Sequence, residues 1–502
     1  MKVEVKLGDV RENNSEVLVL FSYEDLDFMQ GVAKMAKDAR FKGEKNETKL
    51  VHPPSAFKCK HILLTGLGKR EKATSYDVYV AAGRAAQEAC SEEFKTLAFN
   101  LPETVGTKIE NTARQVCEGA MTALYKFDQF KSKKKDKESE DEFKEDEKEI
   151  ETIEILCPFE ADGERMKREV EEARIISECV HVTRDLVNYP SNLKRPPMLA
   201  DRIKQHVSRH GIRFGVLDEN AMKRKGMGSL LAVASGSGSP PRLVTLEYGK
   251  KREGKPPLCL VGKGIKFDSG GISLKPSKGM DEMKGDMAGA AAVAGAMMAI
   301  SQLKIPLHVV GVMPLTENMP DGNAQRPGDI VKAMNGKSIE VLNTDAEGRM
   351  VLADAVAYAE ETYKPDYLVD IATLTGAVVV CLGKHATGLL SNDDALKKQV
   401  IEAGEKVHER CWELPFWKEY RDMVKSKVAD VKNIGSESGE GGTITAGAFV
   451  ASFLNEKTKW AHLDIAGTSF SEGGKPFGHV GATGVGVRLF VELARSMSGE
   501  NV

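Results

Sequence analysis

Short apolar runs separated by polar turns characterise the first part of the chain. Strand-like runs at residues 16–21, 61–65 and 96–100 alternate with helical stretches such as residues 79–90. Strands that alternate with helices in this way indicate an α/β arrangement. We therefore predict a small α/β unit over residues 1 to about 125.

Beyond about residue 190, longer apolar runs alternate steadily with helical patterns. The predicted strands lie at residues 242–247, 258–261, 307–313, 367–372 and 461–465. The predicted helices lie at residues 285–301, 348–363 and 394–408. Nearly continuous apolar strands are typical of a sheet that is covered by helices on both faces, with ligands at the carboxyl ends of its strands.

Two segments separate these regions. Residues 131–149 are almost entirely Lys, Glu, Asp and Ser, which predicts a solvated loop, and residues 163–187 predict a charged helix. We predict an N-terminal α/β domain at residues 1–165 and a C-terminal domain at residues 166–502, the latter beginning with a connecting helix. The fold class is α/β: a smaller N-terminal domain, and a larger C-terminal domain whose mostly parallel or mixed central sheet is covered by helices.

Composition excludes several classes of protein. The 502 residues are 41% hydrophobic and 29% charged, as in an ordinary globular protein. Lys and Arg number 71 against 74 Asp and Glu, so the net charge of −3 provides no field that would recruit nucleic acid or an anionic membrane. We expect neither as a partner.

Cysteine usage and the start of the chain suggest a location. The eight cysteines are scattered, without a Cys-x-x-Cys pair or a spacing that indicates disulfides or a thiolate zinc site. Residues 1–7 alternate like a strand and lack the apolar core of a signal peptide. No run of about 18 apolar residues occurs anywhere. We predict a cytoplasmic protein.

Two motifs carry the candidate chemistry. Residues 261–271 read VGKGIKFDSGG, and residues 343–349 read NTDAEGR. Each motif sets carboxylates among small residues directly beside a basic side chain. Such groups are unfavourable in a folded interior unless a cation offsets the carboxylates. A pair of metal ions is the simplest such cation.

Four acidic residues lie at the ends of predicted elements: Asp268 after a strand, Asp286 at a helix start, and Asp345 with Glu347 just before another helix. Residues i and i+2 of an extended segment face the same way, so Asp345 and Glu347 would reach one metal pair together. Oxygen ligands suit Mg²⁺, Mn²⁺ or Zn²⁺. Acidic residues near helix starts also serve as caps, which is the alternative interpretation of these positions.

These motifs resemble those of the leucyl aminopeptidases, the cytosol aminopeptidase family of two-metal exopeptidases. The resemblance rests on residues 261–276, 283–293 and 343–349. It extends through residues 317–320, 326–329, 371–377 and 460–467, within most of residues 180–490. The first 160 or so residues match only loosely, as expected of that family's variable amino-terminal domain.

The resemblance implies two divalent metal ions, usually Zn²⁺, with Mn²⁺ or Mg²⁺ as alternatives at one site. It implies metal ligation by Lys263, Asp268, Asp286, Asp345 and Glu347. Asp268 and Glu347 would bridge the metals, Asp345 would complete the site of one ion, and Lys263 with Asp286 that of the other. The lysine would have to be neutral, which a neighbouring dication favours by lowering the pKa of the amine.

The resemblance also implies catalytic and substrate-binding roles. Lys275 would stabilise the negative charge that develops on the peptide carbonyl, and Arg349 would hold a bicarbonate ion as general base. The implied substrate-binding residues are Lys275, Asp286, Met283, Thr373, Leu374 and Gly376.

The implied activity is release of N-terminal residues, leucine and other apolar residues above all, from small peptides by a metal-bridging hydroxide. The resemblance further implies a homo-hexamer with inward-facing active sites. Two alternatives stay open: a two-metal nuclease or phosphatase, and a non-enzymatic binding or scaffold protein. The chain lacks a phosphate loop, which disfavours the first alternative, and it keeps every implied ligand, which disfavours the second.

Overall fold

The computed structural model describes residues 1–26, 31–132, 149–250, 257–436, 438–473 and 476–499. The predicted charged loop at 131–149 lies outside the described residues from 133 to 148. The chain divides into one unit of residues Met1–Glu178 with Gly473–His479, and a second of Cys179–Glu472 with Val480–Val502. Within the described residues, no helix combines the length and apolar character that a membrane span requires.

The strands, numbered along the described chain, are β1 (Lys2–Leu7), β2 (Val17–Ser22), β3 (Thr48–Val51), β4 (His61–Gly66), β5 (Thr96–Asn100), β6 (Thr152–Cys157), β7 (Arg213–Leu217), β8 (Arg242–Tyr248), β9 (Leu258–Gly262), β10 (Gly264–Asp268), β11 (Val309–Asn318), β12 (Ile330–Lys332), β13 (Ser338–Glu340), β14 (Tyr367–Ala372), β15 (Thr387–Ser391), β16 (Cys411–Glu413), β17 (Val431–Lys432), β18 (Lys459–Asp464), β19 (Phe470–Glu472) and β20 (Val480–Ala482).

The helices, numbered in the same way, are α1 (Val32–Asp38), α2 (Ser75–Ser91), α3 (Thr112–Ala123), α4 (Gly163–Asn188), α5 (Pro196–Val207), α6 (Glu219–Arg224), α7 (Gly228–Ala234), α8 (Ala288–Gln302), α9 (Glu347–Tyr363), α10 (Gly376–Leu382), α11 (Asp394–Lys406), α12 (Lys418–Asp422), α13 (Gly442–Ala451) and α14 (Val487–Ser498).

The first unit is built on a sheet with strand order β1-β6-β5-β2-β4-β3. Neighbouring strands are parallel except β3, which runs antiparallel to β4. Along β2, Val17 and Val19 belong to one buried cluster and Leu18 and Leu20 to another, because successive side chains of a strand point to opposite faces. Both faces of this sheet are therefore covered.

The second unit contains a mixed sheet with strand order β16-β15-β18-β14-β9-β11-β8-β7, to which β10 adds by pairing with β11. Its centre, from β18 through β14 and β9 to β11, is parallel. The outer strands β15 and β8 pair antiparallel with β18 and β11. The predicted α/β class with a mixed central sheet is confirmed.

The strand register brings several carboxyl ends to one edge of this sheet. Ile371 lies opposite Gly262, Ala372 lies opposite Asp464, and Asp268 lies opposite Asn318. Residues that follow these strand ends are therefore neighbours in space although they are far apart in sequence. This edge of the sheet carries the candidate site.

A buried carboxylate secures α9 at its position in the second unit. Asp354 lies on α9 with no exposed surface, and it accepts hydrogen bonds from Leu230 N at 2.8 Å and Met334 N at 2.7 Å. Burial raises the pKa of this carboxyl to about 7, although the backbone hydrogen bonds oppose the increase.

We expect Asp354→Ala to lower the free energy of unfolding by about 2 to 4 kcal/mol, because two backbone donors lose their acceptor. The pKa is raised above its unfolded value of 3.8, so the favourable contribution declines as the pH rises through about 7. The loss should therefore be larger at pH ~5 than at pH ~8, measured by urea unfolding. The exposed Asp366→Ala is the control. Equal stability of both variants would contradict the assignment.

Candidate metal centre

Three carboxylates converge at the sheet edge. Asp268 is the last residue of β10, Asp286 follows the 3-10 turn Met280–Gly285, and Glu347 is the first residue of α9. One oxygen from each lies within 4.8 Å of the others. Their exposed fractions are 3%, 6% and 1%. Such a buried group of oxygens has the spacing of ligands around a metal ion.

The local elements differ from the prediction at three points. Asp268 was predicted to follow a single strand, but two strands, β9 and β10, precede it with Lys263 between them, and Asp268 is the last residue of β10. Asp286 precedes its helix by two residues because α8 starts at Ala288. Residues 343–346 form a turn, closed by a 3.2 Å hydrogen bond from Ala346 N to Asn343 O, and not an extended segment. The argument that Asp345 and Glu347 share a strand face was therefore wrong.

Asp345 lies beside the cluster. It is not among the three residues whose oxygens converge within 4.8 Å, and its side chain is 33% exposed. Lys275 Nζ connects it to the others, since this ammonium lies 2.8 Å from Asp268 Oδ2 and also contacts Asp345 Oδ1. The structure therefore brings all four predicted carboxylates to one place, with Asp345 at its solvent side.

A second lysine lies inside the cluster. Lys263 Nζ is 2.8 Å from Asp286 Oδ2 and 3.0 Å from Glu347 Oε1, and it donates to Thr373 O at 2.9 Å. Burial opposes the charge on Lys263, but the carboxylates outweigh it and raise the pKa of the amine. Burial, together with the charge of Asp268, raises the pKa of Glu347. The ammonium groups of Lys263 and Lys275 thus face these carboxylates.

The oxygens fit additional cations. Four of them accept no hydrogen bond from any described residue: Asp286 Oδ2, Asp345 Oδ1 and both oxygens of Glu347. Three of these four form ion pairs with a lysine ammonium, which leaves Glu347 Oε2 without either kind of partner among the described residues. Leaving a buried acceptor without a partner costs about 1 to 3 kcal/mol, and more when the group is charged. Hard oxygen donors of this kind suit Zn²⁺, Mn²⁺ or Mg²⁺.

Two glycines permit this close approach. A Cβ atom on Gly289 of α8 would lie 2.2 Å from Ile371 O, so only glycine allows α8 to pack this near to β14. A Cβ atom on Gly348 would lie 2.5 Å from Lys263 Nζ, in the space that the amine occupies. Gly289 and Gly348 therefore allow the loop before α8 and the start of α9 to lie close to the lysine.

A cavity of about 300 Å³ opens beside the cluster. The predicted substrate-binding residues Met283, Thr373, Leu374 and Gly376 all line it, and so do Lys275 and Asp286. Thr373 Oγ1 donates to Asp286 Oδ1 at 2.6 Å, which connects the cavity wall to the cluster. The cavity gives a ligand direct access to the carboxylates.

Arg349 occupies a different place from Lys275. It lies on α9 two residues after Glu347, is 8% exposed and is not among the residues that line the cavity. Its Nη1 donates to Asn433 O at 2.9 Å, and its Nε has no hydrogen-bond partner in the described part of the chain. Burial lowers the pKa of Arg349 to about 10.

Sequence reasoning missed Asn433, which holds the loop that carries Asp345. Asn433 Oδ1 accepts from Leu342 N at 2.8 Å, and its Nδ2 donates to Asn343 O at 2.6 Å. This fully buried side chain comes from a segment 90 positions away in sequence. A lone asparagine after a two-residue strand gives no signal that a sequence pattern would detect.

Asp464 is a second residue that sequence reasoning passed over. It ends β18 at 1% exposure, and its carboxylate accepts from Thr375 Oγ1 at 2.6 Å and Leu374 N at 3.1 Å. These contacts fix the loop that forms one wall of the cavity. Asp464 lies in the resembling segment 460–467, so that segment contained the available signal.

Comparison with known proteins identifies the family. The profile of the cytosol aminopeptidase family, catalytic domain, matches residues 181–491, and the profile of its N-terminal domain matches residues 20–134. The chain belongs to the cytosol aminopeptidase family. It is a metal-dependent aminopeptidase, a hydrolase that acts on peptides. The alternatives of a phosphoesterase and of a scaffold protein are therefore set aside.

Relatives match over nearly the whole chain. A probable cytosol aminopeptidase of Roseiflexus castenholzii is 41% identical, with 99% of each chain covered. One of Geobacter sulfurreducens is 41% identical, with 97% of this chain and 95% of its own covered. The bottromycin maturation enzyme BotP in complex with Mn has a TM-score of 0.85 and 33% identity, covering 96% of this chain and 100% of its own. A tomato leucine aminopeptidase mutant has a TM-score of 0.85 and 31% identity, covering 98% and 96%.

We expect Asn433→Ala to weaken the binding of divalent metal by about 10- to 100-fold, because the loop that carries Asp345 loses the side-chain hydrogen bonds that hold its backbone in place. Calorimetric titration of the metal-stripped chain with Mn²⁺ measures this affinity. The exposed Asn323→Ala is the matched control. An unchanged metal affinity in a folded Asn433 variant would show that the loop holds its position without this residue.

Proposed function

We propose that this aminopeptidase releases single amino-terminal residues, leucine and other apolar residues above all, from small peptides. Its proposed metal ligands are Lys263, Asp268, Asp286, Asp345 and Glu347. The observation that carries the proposal is the buried group of Asp268, Asp286 and Glu347, whose oxygens converge within 4.8 Å beside a largely apolar cavity. A free α-amine beside Asp286 would gain a charged partner, whereas an acylated terminus would not.

Asp268 and Glu347 would contact both ions. Asp345 would complete the ligand set of one ion, and Lys263 together with Asp286 would complete the ligand set of the other. Zn²⁺ is the proposed metal, with Mn²⁺ or Mg²⁺ as alternatives at one site, and the Mn complex of BotP supports this choice. When bound, such ions polarise a carbonyl and lower the pKa of water to about 7, so that hydroxide is available as the nucleophile. Elemental analysis of the purified protein tests the metal assignment.

Lys263 has to change its protonation state in this scheme. In the structure its amine lies 2.8 Å from Asp286 Oδ2 and 3.0 Å from Glu347 Oε1. A ligand amine must be neutral, and a nearby dication lowers the pKa of an amine just as the carboxylates raise it. Lys263 would therefore act as an internal cation when metal is absent and as a neutral ligand when metal is bound.

Lys275 would act on the substrate carbonyl. Its ammonium contacts Asp268 and Asp345, two carboxylates that a divalent cation would also attract. Once these carboxylates face a stronger cation, the ammonium is available to donate to the oxygen of the peptide carbonyl as negative charge develops there. Lys275 lines the cavity, which supports this role.

Arg349 would hold a bicarbonate ion that acts as general base. Its buried guanidinium has one nitrogen, Nε, without a hydrogen-bond partner among the described residues, and this supports anion binding. Loss of bicarbonate-dependent rate enhancement in Arg349→Ala would support the role. Equal bicarbonate dependence in both proteins would exclude it.

We also propose a cytoplasmic homo-hexamer, with the catalytic domain at residues 166–502 and an N-terminal domain at residues 1–165. The family membership supports the assembly and the location. Sedimentation velocity tests the hexamer, and a monomer at working concentration would refute it. Cell fractionation tests the location.

We expect Glu347→Ala to abolish metal binding and hydrolysis while the fold persists. Thermal unfolding separates the two effects: Zn²⁺ should raise the Tm of the wild type but not that of the variant. In chelator the variant should be at least as stable as the wild type, because a buried carboxylate with a raised pKa has been removed. Glu361→Ala, an exposed change on the same helix, is the control. Full turnover by Glu347→Ala would refute the ligand assignment.

We expect Lys275→Ala to retain metal but to lower kcat by about 10² to 10³-fold, the effect of removing one donor to an oxyanion. Steady-state kinetics with leucine anilide, paired with metal analysis of the same sample, measures both quantities. Lys278→Ala changes an exposed lysine of the same loop and serves as control. A normal kcat in Lys275→Ala would remove this residue from the mechanism.

A further inference from the structure

A fully buried lysine contacts the backbone of two segments that line the cavity. Lys194 follows the 3-10 turn Ser191–Leu193 and has no exposed surface. Its Nζ donates to Val187 O at 2.6 Å, to Lys284 O at 2.7 Å and to Leu186 O at 3.2 Å. The three donors of one ammonium group are therefore matched by three backbone carbonyls.

Lys194 differs in its partners from the two lysines of the metal centre. Lys263 and Lys275 contact carboxylates, whereas the described residues offer Lys194 no carboxylate partner. Burial, together with the charges of Lys284 and Lys266, lowers the pKa of Lys194. The ammonium form therefore depends on the three carbonyl oxygens, whose partial negative charges favour a cation.

The sequence explains why two of these carbonyls need a donor from outside their helix. In an α-helix the carbonyl of residue i accepts from the N–H of residue i+4. Leu186 O would take its donor from Pro190, which has no N–H, and Val187 lies one residue before the end of α4. The last turn of α4 contains no basic side chain. Lys194 supplies both the donor and the positive charge at this helix end.

The third carbonyl connects Lys194 to the metal centre. Lys284 belongs to the turn Met280–Gly285, which leads directly into the proposed ligand Asp286. This turn and Val187 both line the cavity. The oxygens of Val187 and Lys284 would repel each other if no cation lay between them, because both carry partial negative charge. The position of the turn therefore depends on the ammonium.

The segment that carries Lys194 is also fixed at its other end. Ser191 Oγ donates to Lys266 O at 3.0 Å, and Lys266 lies on β10, the strand that ends in Asp268. Residues 191–194 thus connect the strand of Asp268 to the turn before Asp286. Two of the converging carboxylates are held in relation to each other through this segment.

We propose that Lys194 is a positioning residue, whose ammonium acts as an attached monovalent cation that places Asp286 for metal binding. Backbone carbonyls surround free potassium ions in the same way, where they replace the hydration shell. This inference rests on the proposed function, because it treats Asp286 as a ligand of one of two metal ions. Lys194 acts through the backbone of the turn and takes no part in the hydrolysis.

Replacement of the cation tests this role. We expect Lys194→Ala to weaken the binding of one of the two metal ions by about 10-fold or more, measured by calorimetric titration of the metal-stripped chain with Mn²⁺. Ammonium chloride should restore the affinity. Tetramethylammonium chloride at the same ionic strength should not, because its cation is too large for the space. Lys278→Ala, which changes an exposed lysine just before the turn, is the matched control.

Thermal unfolding in chelator gives a readout that needs no divalent metal. Ammonium chloride should raise the Tm of Lys194→Ala above its value in tetramethylammonium chloride, because a cation that binds only the folded chain stabilises it. The Tm of the wild type should be the same in both salts, since its own ammonium fills the site.

Lys194→Met separates the charge of the side chain from its bulk. This variant should lose metal affinity as the alanine variant does, but ammonium should not restore it, because the methionine fills the space. The proposal is overturned if folded Lys194→Met binds metal normally, or if ammonium changes neither the metal affinity nor the Tm of Lys194→Ala. Failure of the proposed function gives a different result, since the wild type itself would then bind no second ion.

Discussion

The second unit holds several buried carboxylates close together at one edge of its sheet, and their mutual repulsion is the main constraint on the site. Two carboxylates about 4 Å apart repel each other by about 4 kcal/mol at the effective dielectric constant of a protein site. Asp268, Asp286 and Glu347 lie at such separations with almost no exposure. Lys263 and Lys275 offset part of this charge, yet several carboxylate oxygens still lack a hydrogen-bond partner among the described residues. The fold therefore maintains a site that a divalent cation completes.

Contacts between uncharged groups position the elements that carry this site. The packing of α8 against β14 at Gly289 brings Asp286 to the end of β9, and the bare backbone of Gly348 leaves room for Lys263. Neutral and remote residues then fix the loops, as Asn433 does for the turn before Asp345. We therefore expect metal affinity to depend also on residues outside the proposed ligand set.

Much of this architecture was predictable from the sequence because its strands are long, apolar and regularly spaced. The predicted strands at residues 96–100 and 367–372 coincide with β5 and β14. The division into β9 and β10 was not predictable, because both strands pair with β11 and the break at Lys263 between them has no marker in the sequence. The motifs indicated where carboxylates gather, but not that residues 343–346 form a turn. Asn433 escaped prediction because its role arises from tertiary contacts alone.

The central claim is that these side chains hold two divalent cations. Calorimetric titration of the metal-stripped chain with Zn²⁺ tests it most directly, because it counts bound ions without relying on turnover. The account predicts saturation at two ions per chain. Saturation at one ion, or no binding at all by a folded chain, would contradict it.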